Sequence, residues 1–222
     1  VAALLLLPGN AAAWSPAETV VVIDPGHGGA NAGVSVPGET EKELSLRLAT
    51  LVKERVEAGL GVKVLLTRAG DFEMSPLERA AMAGQDKASL FVSIHAGGSS
   101  STSIDTLAAF FPGRRPGGVV AGVPGNSAWR VWNRQYEAHQ ARSRELAGRL
   151  SRALAEWAGS EPFAPVEADL FLLRGIDAPA AMVEVGCLTN RGRLGVLRDA
   201  AETARLAEIL AGTVIAYIRE FL

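Results

Sequence analysis

The stretch Val20-Val21-Val22-Ile23-Asp24-Pro25-Gly26-His27-Gly28-Gly29 constrains this chain more than any other. Four β-branched residues in a row have no polar face. They predict a strand buried on both sides, as in a parallel sheet covered by helices. Asp24-Pro25-Gly26 ends that strand abruptly. His27 then falls just past the strand's carboxyl end, where open α/β sheets bind ligands. Gly26, Gly28 and Gly29 clear space for a metal or substrate to approach the imidazole. A lone histidine in a turn also serves ordinary packing, so the rest of the chain has to decide.

The chain repeats the arrangement twice. Ser89 to Ile94 is an apolar run ending on His95, followed by Ala96-Gly97-Gly98. Ala180-Ala181-Met182-Val183 is another, and Glu184 continues it. Further strands are expected at Val62–Thr67, Leu107–Phe111 and Ala168–Leu173. Helices are expected from Thr40 to Gly59, Ser75 to Gly84, Ser127 to Trp157, and from about Ala200 onward. Thr40 and Ser75 are N-caps with Glu43 and Glu78 at the third position, as a capping box requires. Strands alternating with helices define the fold class. It is α/β: a single domain over 18–222 with a mostly parallel, roughly six-stranded sheet and helices on both faces. A chain of 222 residues, 48% of them hydrophobic, can bury such a core.

Charge and composition exclude some classes. A net charge of -2 gives no basic surface for nucleic acid. Cys187 is the single cysteine, so no internal disulfide forms. Val1 to Ala13, within a leading segment 1–15, reads as the apolar region and small-residue cleavage site of a signal peptide. It is too short to span a bilayer, so no integral membrane segment is expected. Export to the periplasm or cell exterior follows as the expectation.

Two aromatic and histidine features stay open. Trp129, Trp132 and Tyr136 share a helical face, which serves either as core or as a platform for a sugar ring. His139 has polar neighbours and reads as surface.

His27, Glu41 and His95 offer two imidazoles and a carboxylate from strand ends and a helix start. That is the donor set of a catalytic zinc site with one position left for water. Magnesium prefers oxygen ligands, so zinc is favoured. Glu41 in a first helical turn stays ionised, helped by the dipole. Zinc would lower the pKa of bound water towards ~7. Glu184, inside the apolar run Met182-Val183-Glu184-Val185, is costly to bury without a task or a partner. It is either an acid–base group of raised pKa or half of an ion pair with Arg68 or Arg174. His-Glu-x-x-His and Gly-x-Ser-x-Gly are both absent, which argues against a thermolysin-like zincin and an α/β-type serine hydrolase.

Taken in order, the motifs resemble one family. Ile23-Asp24-Pro25-Gly26-His27-Gly28-Gly29, Glu41-Lys42-Glu43-Leu44, Ser93-Ile94-His95-Ala96 and the run Pro179 to Asn190 are similar to the zinc-dependent N-acetylmuramoyl-L-alanine amidases of type 3. Leu66-Thr67-Arg68 and Leu77-Glu78-Arg79 also fit, and the likeness covers roughly Val20 to Leu222. The resemblance implies one Zn2+ on His27, Glu41 and His95, with Glu184 as general base. It implies a peptidoglycan hydrolase that cuts between N-acetylmuramic acid and the L-alanine of the stem peptide, with an activator or targeting protein as a further partner. Three positions depart from the family pattern: Gly97 and Gly84 stand where asparagine is usual, and Cys187 where phenylalanine is common. Residues 112–136 lie where some members carry an insertion whose helix blocks the active site. Two alternatives remain: a zinc peptidase or deacetylase acting on another amide, and a catalytically silent cell-wall-binding regulator.

Overall fold

The computed structural model describes residues 15–113 and 132–222. The signal-like segment, Trp129 and most of the 112–136 stretch lie outside the described residues, as does the Trp132 side chain. In chain order the elements are β1 (Val20–Pro25), β2 (Ser35–Val36), β3 (Glu39–Thr40), α1 (Glu41–Leu60), β4 (Lys63–Leu66) and α2 (Pro76–Gln85). They continue with β5 (Leu90–Gly97), β6 (Leu107–Pro112), α3 (Gln140–Ala158), β7 (Val166–Ala168), α4 (Phe171–Arg174), β8 (Ala180–Cys187), α5 (Arg191–Arg198) and α6 (Ala200–Phe221). The main sheet runs β4-β1-β5-β8-β6-β7. β4, β1, β5 and β8 are parallel; β6 runs against β8, and β7 is parallel to β6.

The expected strand at the heart of this sheet is there, and its two faces feed two cores. Val21 and Ile23 pack with apolar residues of α1, α3 and α6. Val22 packs on the other face with Ala80 and Ala83 of α2 and Leu172 and Leu173 of α4. All three valine and isoleucine side chains are fully buried. Removing one would cost on the order of 2–5 kcal/mol if truncated to alanine.

The period of two along a strand also places the chemistry. Val22, Phe91 and Ala180 lie on the α2/α4 face. Two residues further along each strand stand Asp24, Ser93 and Met182, and two beyond the last pair stand His95 and Glu184. The same face is therefore apolar below and polar at its carboxyl edge, above the helices that cover it.

Helix starts follow the sequence. Thr40 Oγ1 accepts from the Glu43 amide, and Ser75 forms a full capping box with Glu78 behind Pro76. α1 runs two residues past Gly59 to a left-handed cap at Gly61, φ 66°. The run Ala168–Leu173 is not one strand. β7 ends at Ala168, and Phe171–Arg174 forms a helical turn. Leu172 and Leu173 are adjacent and both pack into the same core as Val22, whereas strand geometry would send them to opposite faces. The expected long helix is, in its described part, a 3-10 stretch Trp132–His139 leading into α3. Tyr136 is core, and His139 lies at the surface beside Asp177 at 3.1 Å. The β2–β3 hairpin and α5 were not foreseen.

Candidate metal centre

The centre is built on the turn that ends β1. Asp24 is fully buried and accepts from Thr67 Oγ1 at 2.5 Å, Arg79 Nη1 at 2.6 Å and Ser93 Oγ at 2.6 Å. Arg79 also donates to the Pro25 and His27 carbonyls, each at 2.6 Å. Arg68, 1% exposed, donates to the carbonyls of Gly26 at 2.7 Å and Lys42 at 2.8 Å. Two buried guanidinium groups thus hold the carbonyls of Pro25, Gly26 and His27. That grip sustains a left-handed φ of 59° at His27, a conformation costing a non-glycine residue roughly 1–2 kcal/mol.

His27 is also oriented through its ring. Asn31 Oδ1 lies 2.9 Å from His27 Nδ1 and accepts from the Gly33 amide at 3.1 Å. Because the Gly33 N–H requires an acceptor there, His27 Nδ1 is the donor, which leaves Nε2 as the free ligand atom. Nε2 lies 2.9 Å from Glu41 Oε1.

Glu41 opens α1 and is 3% exposed. Its Oε1 is also 2.8 Å from His95 Nδ1 and accepts from the Ala96 amide at 3.1 Å. Its Oε2 accepts from the Val34 amide at 3.0 Å. Burial pushes this carboxyl up, but hydrogen bonds from His27 and His95 outweigh it and hold it at about 2. The same hydrogen bond to Glu41 raises His27 above its ordinary value, against the effect of burial. His27, Glu41 and His95 thus bring one ligand atom each within 4.8 Å of one another. Among the described residues they are the one such group. One anionic oxygen facing two imidazole nitrogens is a donor set that suits a divalent metal.

Of the glycines expected to make room, Gly26 does so, though for the ring of His95 rather than that of His27, and Gly33 joins it. A β-carbon on Gly26 would stand 2.4 Å from the His95 ring, and one on Gly33 would stand 2.4 Å from Glu41 Oε2 and 2.6 Å from His27 Cδ2. Gly28 and Gly29 instead admit the backbone of Phe72 and Glu73, and both have positive φ. Asp71 secures that contact, accepting from the Gly29 amide at 2.8 Å and from Lys42 Nζ at 2.7 Å.

Glu184 stands opposite His95 in the β5–β8 register, just before an irregularity that ends at Gly97. Its Oε2 is buried and has no hydrogen-bond partner among the described residues. Burial, opposed by the charge of His95 and reinforced by that of Glu41, pushes its carboxyl up to about 7. Neither arginine considered from the sequence is its partner. Arg68 is committed to backbone carbonyls, and Arg174 Nη1 lies 3.0 Å from Asp169 Oδ1. The structure therefore assembles all four singled-out side chains at one sheet edge. Sequence reasoning missed Asn31 and Gly33, which carry no signal beyond lying in the glycine-containing loop after His27.

Fold and cluster together define an α/β domain with a metal-type donor set gathered at the carboxyl ends of parallel strands. More narrowly, the sequence pattern described as N-acetylmuramoyl-L-alanine amidase matches residues 21–216, and the chain belongs to that family. It is 27% identical over 199 residues to the N-acetylmuramoyl-L-alanine amidase LytC of Bacillus subtilis, covering 90% of this chain and 35% of LytC. With AmiA of Escherichia coli it shares 26% identity, covering 93% of this chain and 78% of AmiA. The catalytic domain of the amidase CwlV from Bacillus (Paenibacillus) polymyxa superposes with a TM-score of 0.72 at 25% identity, over 90% of this chain and 97% of that domain. The chain thus spans about a third of LytC and almost a whole catalytic domain.

Proposed function

We propose that this chain hydrolyses the amide between the lactyl group of N-acetylmuramic acid and the L-alanine of the peptidoglycan stem peptide. In this reading His27, Glu41 and His95 hold a zinc ion and Glu184 moves the protons. The observation that carries it is the buried Glu184 carboxylate, without a partner among the described residues, beside a cluster of three metal-type ligands. Two nitrogens and an oxygen suit zinc better than magnesium. Zinc, when bound, supplies Lewis acidity that polarises the scissile carbonyl and makes water a nucleophile near neutral pH.

The chain does the rest. Asn31 keeps His27 in the tautomer that presents Nε2. The amides of Val34 and Ala96 fix the two Glu41 oxygens. Glu184, with its carboxyl near neutrality, takes a proton from the attacking water and passes it to the departing nitrogen. The carbon–nitrogen bond breaks as a carbon–oxygen bond forms, leaving a carboxylate on the muramic side and a free amino group on L-alanine. Peptidoglycan lies outside the cytoplasmic membrane, so the proposal includes export of the chain.

Digestion of purified sacculi tests the reading. The expected result is release of intact stem peptides with free L-alanine amino termini. Chelation should stop it, zinc should restore it, and Glu184→Gln should abolish it. New termini within the stem would indicate a peptidase, released acetate a deacetylase. Binding without cleavage would indicate a silent wall-binding protein.

A further inference from the structure

Among the described residues two aromatic side chains are exposed, Phe72 at 48% and Phe171 at 49%. Phe171 already has the Arg174 guanidinium 5.6 Å from its ring. Phe72 stands in the loop between β4 and α2, against the turn that carries His27. Its carbonyl packs on Gly28, where a β-carbon would stand 2.3 Å from it, and Gly28 directly follows His27.

A single apolar side chain on a surface is ordinary. This one is set apart by the backbone under it. The Arg68 guanidinium donates to the Gly70 carbonyl at 3.1 Å. Asp71 accepts from the Gly29 amide at 2.8 Å and from Lys42 Nζ at 2.7 Å. Gly28 and Gly29 receive the backbone of Phe72 and Glu73. The ring itself leans over Gly70, with Cδ1 and Cε1 3.6 and 3.7 Å from where a β-carbon would stand there. An exposed ring on an anchored backbone loses little further freedom on meeting a ligand.

We infer that Phe72 is a platform for the amino-sugar ring joined to the scissile amide, and that it selects muramoyl peptides over peptides carrying a smaller acyl group. The inference rests on the amidase reading above. Glu184 passes its proton to the departing nitrogen, so the stem peptide lies on the β8 side. The acyl half extends away from Glu184, past His27. The strand order β4-β1-β5-β8 puts the loop carrying Phe72 on that side. In a muramoyl group one carbon and one ether oxygen separate the carbonyl from the sugar, which makes the pyranose the nearest bulky group on the acyl half. Its C–H face is apolar between polar edges and matches the face of an aromatic ring. Tyr136, considered from the sequence as such a platform, is core and does not serve.

The test compares kcat/KM of the zinc-loaded chain on two synthetic amides that share one peptide. They are N-acetylmuramoyl-L-alanyl-D-isoglutamine and D-lactoyl-L-alanyl-D-isoglutamine, which lacks the sugar. Wild type should prefer the muramoyl substrate. In Phe72→Ala the muramoyl to lactoyl ratio should fall about fivefold or more. It should fall in Phe72→Leu as well, which keeps apolar bulk without a flat face, and persist in Phe72→Tyr. The side chain is exposed, so none of these changes opens a cavity in the core. Three results overturn the inference and leave the amidase reading standing: an active wild type without the preference, a preference that survives in the alanine or leucine variant, or one lost in the tyrosine variant. A wild type inactive on both amides and on sacculi overturns both.

Discussion

Asp24 and Arg79 form a fully buried ion pair, 2.6 Å apart, directly beneath the turn that carries His27. Arg79 also donates to the Pro25, His27 and Met74 carbonyls. The pair is therefore a mould for the histidine's backbone as well as a charge contact.

Replacing Arg79 with methionine leaves the Asp24 charge buried and three carbonyls released. Breaking a buried pair from one side typically costs about 3–5 kcal/mol. The expected outcome is a urea midpoint lowered accordingly, together with weaker zinc binding. An equal midpoint in wild type and variant would show that the pair is not what holds the turn.

Asn31→Ala is expected to behave differently. It removes the acceptor that sets the His27 tautomer but leaves the core untouched. Outer hydrogen-bond partners of metal ligands are typically worth about 10–100-fold in affinity. A competition titration with a zinc chelator should show that loss, while the metal-free unfolding free energy changes by no more than about 1 kcal/mol.

Glu184→Gln should separate activity from stability. In the metal-free fold the Glu184 carboxyl is raised from 4.5 to about 7, burial being the main cause. A native state that holds a proton more tightly than the unfolded chain loses stability as pH rises from 4.5 through 7. Above that window the ionised side chain costs about 3 kcal/mol. The variant, which cannot ionise, should therefore be more stable than wild type at pH 8 and equal to it at pH 4, measured by denaturant unfolding in the presence of chelator. It should also be inactive.

Glu41 sets the opposite limb. Its native carboxyl stands at about 2, below its ordinary value, because hydrogen bonds from His27 and His95 overcome burial. Its contribution is present above 4.5 and is lost as pH falls towards 2. Glu41→Gln should flatten the acid side of the metal-free stability curve between those values. A wild-type curve with no acid limb in that range would contradict the arrangement.

Much of this was legible in the residues because the determining features are short. An apolar run closed by Asp-Pro-Gly predicts a buried strand that hands the chain to His27, and β1 is that strand. Thr40 and Ser75 announce their helices through local hydrogen bonds. The three expected ligands meet although 68 positions separate His27 from His95, since adjacent parallel strands bring their ends together. What stayed hidden depends on long-range packing. Leu172 and Leu173 read as strand until the second core demands both side chains. The roles of Gly26 and Gly33 appear only once His95 and Glu41 have been brought beside them.

The irregularity that follows His95 and Glu184 in the β5–β8 pairing has a wider consequence. Side chains alternate between faces, so a slip of one position between these two strands would turn the glutamate away from the histidines while leaving most apolar contacts plausible. If Glu184 carries protons as proposed, correct alignment of two central strands is a condition for that transfer, and a chain misaligned there would look folded and be inert.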